Sequence, residues 1–285
     1  MAVVIIAEKP SVASDIAKVL GVAAKEDTHW QSDEIIVTWA VGHLLELKTP
    51  EEYDAAFKNW RGTIDKLPFI PEDFQLKPIT GRGNNRKQLT AIKKLITAKS
   101  CTEVVNACDA AREGELIFRR IVEFAKVKKP MSRMWLQSMT NDSIQDAWDN
   151  RATSSDYEPL RDAAVSRAEA DWIIGMNGSR IAATFLRTSR NDKKSLSLGR
   201  VQTATLAMIV ERERKIKNHV AKTFYEITAL FQIEGGSYEG KYFSPNFKRN
   251  KDIPDERAER IWDKKTADLI VKTVANQSVT FKDES

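Results

Sequence analysis

Val3, Val4, Ile5, Ile6 and Ala7 form an apolar, largely β-branched run, and Glu8-Lys9-Pro10-Ser11 stops it at once. β-branched side chains favour extended backbone, and proline cannot continue a central strand. Helical spacing follows over 12–20, with Ser11 placed to cap it and Gly21 just past its end. A strand that feeds directly into a helix is the beginning of an α/β layer, and the pattern repeats. Strands are predicted at 34–40, 103–108 and 133–139, and helices at 86–98, 113–125 and from Asn141 or Asp142. The segment 49–78, rich in Pro, Trp and charge, reads as irregular connection with short helical pieces. Residues 1–152 are therefore expected to be an α/β domain, a mostly parallel sheet flanked by helices.

The pattern then changes twice. Helical spacing at 162–174, 179–185 and 201–216 predicts a helical domain over 153–220. Alternating segments at 224–231 and 238–243 flank Gly235-Gly236, followed by a helix at 266–275 and a strand at 278–282. This reads as the start of a β-rich domain over 221–285, left incomplete, as in a truncated chain. No apolar run approaches the roughly 20 residues that span a bilayer. The first residues lack the basic flank of a signal peptide. Two cysteines, Cys101 and Cys108, are too few for a disulfide framework, so a reduced, cytoplasmic setting is expected.

The net charge of +5 is by itself weak evidence for a nucleic-acid partner. Its distribution says more. Arg82, Arg86, Lys87, Lys93 and Lys94 lie within 82–94 without an acid. Arg180, Arg187, Arg190, Lys193, Lys194 and Arg200 lie within 180–200 against Asp192 alone. Either patch alone reads equally well as a solvated face. The pair, with Asn, Gln, Ser and Thr interleaved, favours a surface that tracks phosphates.

Acidic residues stand where the predicted strands end. Glu8 closes the first strand and Asp109 follows 103–108; in a parallel sheet these ends share one edge, where ligands bind. Glu113 lies one helical turn past Asp109, and Glu115 follows Gly114. Singly, each acid reads as an N-terminal helix charge favoured by the macrodipole. Together they repel one another unless a cation intervenes, and oxygen donors without a His or Cys pattern suit Mg²⁺ rather than zinc. His43, at a Gly-His turn, reads as a structural histidine or as one that orients a carboxylate.

Ile6-Ala7-Glu8-Lys9-Pro10-Ser11 and Asp109-Ala110-Ala111-Arg112-Glu113-Gly114-Glu115 resemble the two signatures of the Toprim domain as found in type IA DNA topoisomerases. Val37-Thr38-Trp39-Ala40-Val41-Gly42-His43-Leu44, between them, is similar to the same family. So are Arg167-Ala168-Glu169-Ala170-Asp171-Trp172, with Gly175, Asn177, Ser179 and Arg180 beyond, and Ser197-Leu198-Gly199-Arg200-Val201-Gln202-Thr203, the family's DNA-groove motif. The matches keep the family's order over nearly all of 1–215 and lean toward the topoisomerase III kind. The commonest family pattern is Asp-x-Asp, whereas the second position here is Ala111, which should weaken metal affinity.

The resemblance implies strand cleavage, passage and religation without ATP, with Mg²⁺ held by Glu8, Asp109 and Glu113. Glu8 would be the general acid and base at the 3′-oxygen, and Lys9 would neutralise the scissile phosphate. Arg112, Arg167, Asp171, Asn177, Arg180, Ser197, Arg200 and Gln202 would line the path of a single DNA strand. Trp172 reads as core. The family's nucleophile sits in Tyr-x-Arg-Ser/Thr-Asp, and none of Tyr53, Tyr157, Tyr225, Tyr238 or Tyr242 has Arg two residues on. The chain is therefore expected not to cleave DNA covalently by itself. It reads as an enzyme fragment or half of a split enzyme, completed by a portion carrying the tyrosine. An inactive module for single strands and metal is the alternative. Another Toprim enzyme, nuclease or primase, fits worse because neither has the 197–203 motif.

Overall fold

The apolar run predicted from the first residues is strand β1 (Ala2–Ala7), at the centre of the sheet in the computed structural model, which describes residues 1–80, 83–186, 196–250 and 256–278. Helix α1 (Pro10–Val19) follows after two residues; Lys9, extended, is its cap residue and Pro10 fills the first turn, so Ser11 does not cap it. Proline suits this position because that turn has no N–H partner to lose. Short strands β2 (Ala24–Lys25) and β3 (His29–Gln31) lead to β4 (Ile35–Trp39), which pairs parallel with β1. The segment 49–78 holds helix α2 (Pro50–Tyr53), two short 3₁₀ turns and, with the residues just before it, the two-stranded ribbon of β5 (Leu45–Leu47) and β6 (Leu76–Pro78).

Helix α3 (Asn85–Thr97) crosses to β7 (Cys101–Ala107), which pairs parallel with the other side of β1. Helix α4 (Arg112–Phe124) then leads to β8 (Met131–Arg133), parallel to β7. α5 (Asn141–Asp149), capped by Thr140, precedes the edge strand β9 (Ala152–Thr153). The sheet order is β2-β3-β4-β1-β7-β8-β9, with four parallel strands in the middle and antiparallel strands at both edges.

Side chains alternate across the sheet as the strand period of two requires. Val4, Ile6 and Val104 pack under Ile92, Ile96, Phe118 and Ile121 of α3 and α4. Ile5, Ala7, Val37 and Val105 pack on the other face with Ala13 and Ile16 of α1 and Ile144 of α5. Both faces are buried, as a parallel sheet demands. The strand expected at 133–139 is much shorter. Its ladder extends by one bond, Met134 N–H to the Asn106 carbonyl, and then β7 itself ends.

Helix α6 (Glu158–Phe185) is continuous where two helices were expected. The stretch between the two expected helices holds Gly175 and Gly178, and both lie against the segment that carries Leu198. A Cβ at Gly178 would sit 3.0 Å from Leu198 Cδ2, and one at Gly175 3.5 Å from its carbonyl oxygen. Gly178 permits a close approach there, whereas a side chain at Gly175 would meet Leu198 only at ordinary contact distance. Helix α7 is Arg200–Lys217.

The chain divides into two units, Met1–Ala207 and Met208–Ser285. In the second, β10 (Thr228–Ile233) and β11 (Gly236–Lys241) form an antiparallel hairpin, and α8 (Lys264–Val274) is capped by Asp263. The strand expected at 278–282 lies, beyond its first residue, outside the described residues.

Candidate active site and strand-binding surface

β1 sits at the point where chain order reverses across the sheet. The chain proceeds from β1 to β4 on one side and later returns as β7 on the other. At such a point the loops diverge and leave a crevice beyond the C-terminal strand ends. Ala7 pairs with both Trp39 and Ala107, so Glu8 and Asp109 emerge side by side. The Asp109 N–H donates to Glu8 Oε2 at 3.4 Å. Lys9 Nζ lies 3.9 Å from Glu8 Oε1 and 3.8 Å from Asp109 Oδ2. Burial, and then the Asp109 carboxylate, push the Glu8 carboxyl above its ordinary range. A carboxyl so placed is suited to carry a proton.

The loop from β7 to α4 is held rigidly. The buried Arg133 guanidinium donates to the carbonyls of Cys108 and Asp109, each at 2.7 Å, and to Asn106 Oδ1 at 3.0 Å. Gly114 fits against this loop because it has no side chain: a Cβ there would lie 2.2 Å from the Asp109 carbonyl oxygen.

The four acids of the motif do not converge. Glu8 and Asp109 do. Glu113 faces His43, whose Nε2 donates to Glu113 Oε1 at 2.5 Å. Glu115 points inward and is 1% exposed. It accepts from Arg119 Nε at 2.7 Å and Asn106 Nδ2 at 2.9 Å, with Arg133 Nε 3.5 Å away. Its place one residue past Gly114 turns it from the crevice into the sheet, so Glu115 is a structural acid.

Among the described residues no three His, Cys, Asp or Glu side chains come together as a ready metal cage. The donor set still fits Mg²⁺. This ion takes hard oxygen ligands, often only one or two protein carboxylates, and completes its shell with water and substrate phosphate. Glu8 and Asp109 supply oxygens at one point, and their mutual repulsion is the kind a cation relieves.

Beside this point opens a cleft of about 410 Å³, lined by His43, Glu113, Arg112, Arg120, Arg167 and Asp171 among others. Arg200 Nη1 lies 3.3 Å from Asp171 Oδ1 and Arg167 Nε 3.9 Å from Asp171 Oδ2, so one acid holds two half-exposed arginines. Gln202 Nε2 donates to Ser197 Oγ at 3.2 Å. The Leu198 N–H donates to Ser179 Oγ at 2.9 Å, which ties this segment to α6.

Two residues expected on the DNA path lie elsewhere. Arg180 is 2% exposed; it donates to Glu51 Oε2 at 2.5 Å and to the Phe57 carbonyl at 2.7 Å, and its guanidinium lies 4.6 Å from the centre of the Trp60 ring. Asn177 is buried and exchanges two hydrogen bonds with the Phe69 backbone. Their helical phase puts both against 49–78, where they fasten that irregular segment to α6. Trp172 is core as expected, donating to the Lys48 carbonyl at 3.0 Å. Arg82, Arg187, Arg190, Asp192, Lys193 and Lys194 lie outside the described residues.

Residues 3–139 match the Toprim domain, and residues 155–284 match a domain described as DNA topoisomerase. The chain belongs to the type IA DNA topoisomerases. It is 38% identical to the DNA topoisomerase 3 of Bacillus licheniformis over 275 residues, which is 96% of this chain and 36% of that protein. The figures for the Bacillus subtilis protein are the same. The Bacillus cereus protein is 43% identical over 226 residues, 79% of this chain and 30% of the relative. The chain thus spans about a third of the length of these relatives. In fold it resembles the full-length topoisomerase I of Thermotoga maritima, with a TM-score of 0.56 at 23% identity, over 94% of this chain and 37% of that one.

For this family member, sequence reasoning passed over two buried arginines, Arg119 and Arg133. Arg119 joins α4 to the start of α6, donating to Glu158 Oε1 and to the Ser154 carbonyl, each at 2.7 Å. Arg133 frames the Asp109 loop. The available signal was Glu115: an acid one position past the crevice-facing turn needs a buried cation.

Proposed function

We propose that this chain forms the metal-binding and strand-guiding part of a Mg²⁺-dependent, ATP-independent DNA topoisomerase that cleaves, passes and religates a single DNA strand. The observation that carries the reading is the meeting of Glu8, Lys9 and Asp109 at the chain reversal beside β1. Mg²⁺ held by Glu8 and Asp109, with Glu113 in reach of the same crevice, would neutralise and orient the scissile phosphodiester. Lys9 directs a fixed positive charge at that phosphate. Glu8 gives a proton to the leaving 3′-oxygen and takes it back on religation. Arg112, Arg167 and Arg200 hold backbone phosphates along the cleft, and Ser197 and Gln202 offer hydrogen bonds to sugar or base.

The nucleophilic tyrosine comes from sequence or a partner outside these 285 residues. In support, the tyrosines of the first unit are engaged elsewhere. The Tyr53 hydroxyl accepts from the Gln75 N–H at 2.8 Å, and the Tyr157 ring stacks on Trp135. Two free, buried cysteines suit a reducing, cytoplasmic setting. The test is binding of a labelled single-stranded oligonucleotide with and without Mg²⁺, with adducts resolved on a denaturing gel. The chain should bind the strand with salt-sensitive affinity, and Asp109→Asn should remove the Mg²⁺ response. A covalent tyrosyl–DNA adduct formed by the pure chain would overturn the assignment of the nucleophile.

A further inference from the structure

We infer that His43 is a positioning residue of the metal centre, an inference that rests on the Mg²⁺ reading above. β4 ends at Trp39 beside Ala7, and the Ala40 N–H continues the ladder by donating to the Ala7 carbonyl at 2.8 Å. The chain then passes the sheet edge from which Glu8 and Asp109 emerge, where the Gly42 N–H donates to the Glu8 carbonyl at 3.5 Å and His43 follows. Its Nε2 donates to Glu113 Oε1, across 70 residues of sequence. Both side chains line the cleft shared with Arg112 and Arg167.

A glutamate one residue into a helix has three rotatable side-chain bonds and no reason to keep one direction. The imidazole supplies the reason. It occupies one carboxylate oxygen and leaves Oε2 with no hydrogen bond among the described residues, on a side chain that lines the cleft and can offer that oxygen to a hard cation or its waters. This is the carboxylate counterpart of the outer-shell partners that orient metal ligands, whose loss typically weakens metal binding by about ten- to a hundredfold. The His43 side chain is 31% exposed, and the Glu113 contact is its one side-chain bond among the described residues.

The experiment is calorimetric titration of the whole chain with Mg²⁺ alone, for wild type, His43→Ala, His43→Gln, Glu113→Gln, the double variant H43A/E113Q, and Asp109→Asn. His43→Ala should weaken Mg²⁺ binding about tenfold, and His43→Gln, whose amide N–H can replace the imidazole donor, should recover most of it. In the Glu113→Gln background His43→Ala should change nothing further, which a general structural role of His43 would not produce. Should His43→Ala fail to fold, His43→Asn, too short to reach Glu113, takes its place with the same outcomes. Wild-type affinity in His43→Ala, or an equal further loss in the Glu113→Gln background, overturns the role of His43. Unchanged Mg²⁺ binding in Asp109→Asn would instead overturn the metal site itself.

Discussion

Arg180 and Arg200 stand in one basic stretch of the sequence, 180–200. The fold separates them. Arg200 is 40% exposed and shares Asp171 with Arg167, whereas Arg180 is sealed between Glu51, Phe57 and Trp60. Arg200→Ala should weaken single-strand binding and lower the slope of log affinity against log salt by about 1, with little change in thermal stability. Arg180→Ala should instead lower the free energy of urea unfolding by about 3 kcal/mol, because it leaves the partly buried Glu51 uncompensated. Composition shows that a stretch is basic; only the phase of α6 against 49–78 shows which guanidinium faces inward. Glu115 makes the same point for acids. It sits between Arg119 and Arg133, so Glu115→Gln should cost about 3–5 kcal/mol by leaving two buried cations short of a counter-charge, readable as a shift of the urea midpoint. The outward acids Glu8 and Asp109 were legible because strand ends in a parallel sheet share an edge. The inward turn of Glu115 was not, because it depends on an arginine from another strand.

At the scale of elements, the parallel core could be read from sequence because β-branched runs and amphipathic helices alternate at a regular interval. The boundaries that failed did so for tertiary reasons. β8 stops when its neighbour β7 runs out of backbone to pair with, which no local pattern records. α6 runs unbroken through Gly175 and Gly178, and Gly178 lies close against Leu198, a contact invisible to propensity. Gly114, between Glu113 and Glu115, has no room for a side chain against the Asp109 loop. Gly114→Ala improves intrinsic helix propensity, which taken alone would stabilise α4 by about 1 kcal/mol. Its methyl group would lie 2.2 Å from the Asp109 carbonyl oxygen, so the loop must move. The net effect should be loss of stability by about 1–3 kcal/mol, the usual cost of overpacking, together with weaker Mg²⁺ binding through the displaced Asp109. A variant as stable as wild type with unchanged Mg²⁺ affinity would show that the β7–α4 loop does not depend on this contact.

For the molecule as a whole, the two units differ in how much they bury. The first holds a sheet covered on both faces. In the second, the buried apolar side chains among the described residues are Ile261 and Ala267, while Leu230, Ile233, Phe243 and Leu269 are exposed. A unit with so little buried surface has little to set against the conformational entropy of ordering it. Amides of β10, β11 and α8 should therefore exchange with solvent at far lower denaturant than those of β1 and β7. The two cysteines give an independent reading of the first unit. Burial raises both thiols above their ordinary range, so both stay protonated in the native state at mildly alkaline pH. Thiols held this way contribute stability that is complete below the unfolded thiol pKa, near about 8.5, and declines as pH rises beyond it, since the unfolded chain then releases protons that the folded one keeps. Alkylation at pH 8 should accordingly be slow in buffer and accelerate only across the urea transition of the sheet, after the exchange of the second unit is complete. Rapid alkylation of Cys108 in buffer, before the β10–β11 amides exchange, would mean that the central sheet opens more readily than its two packed faces allow.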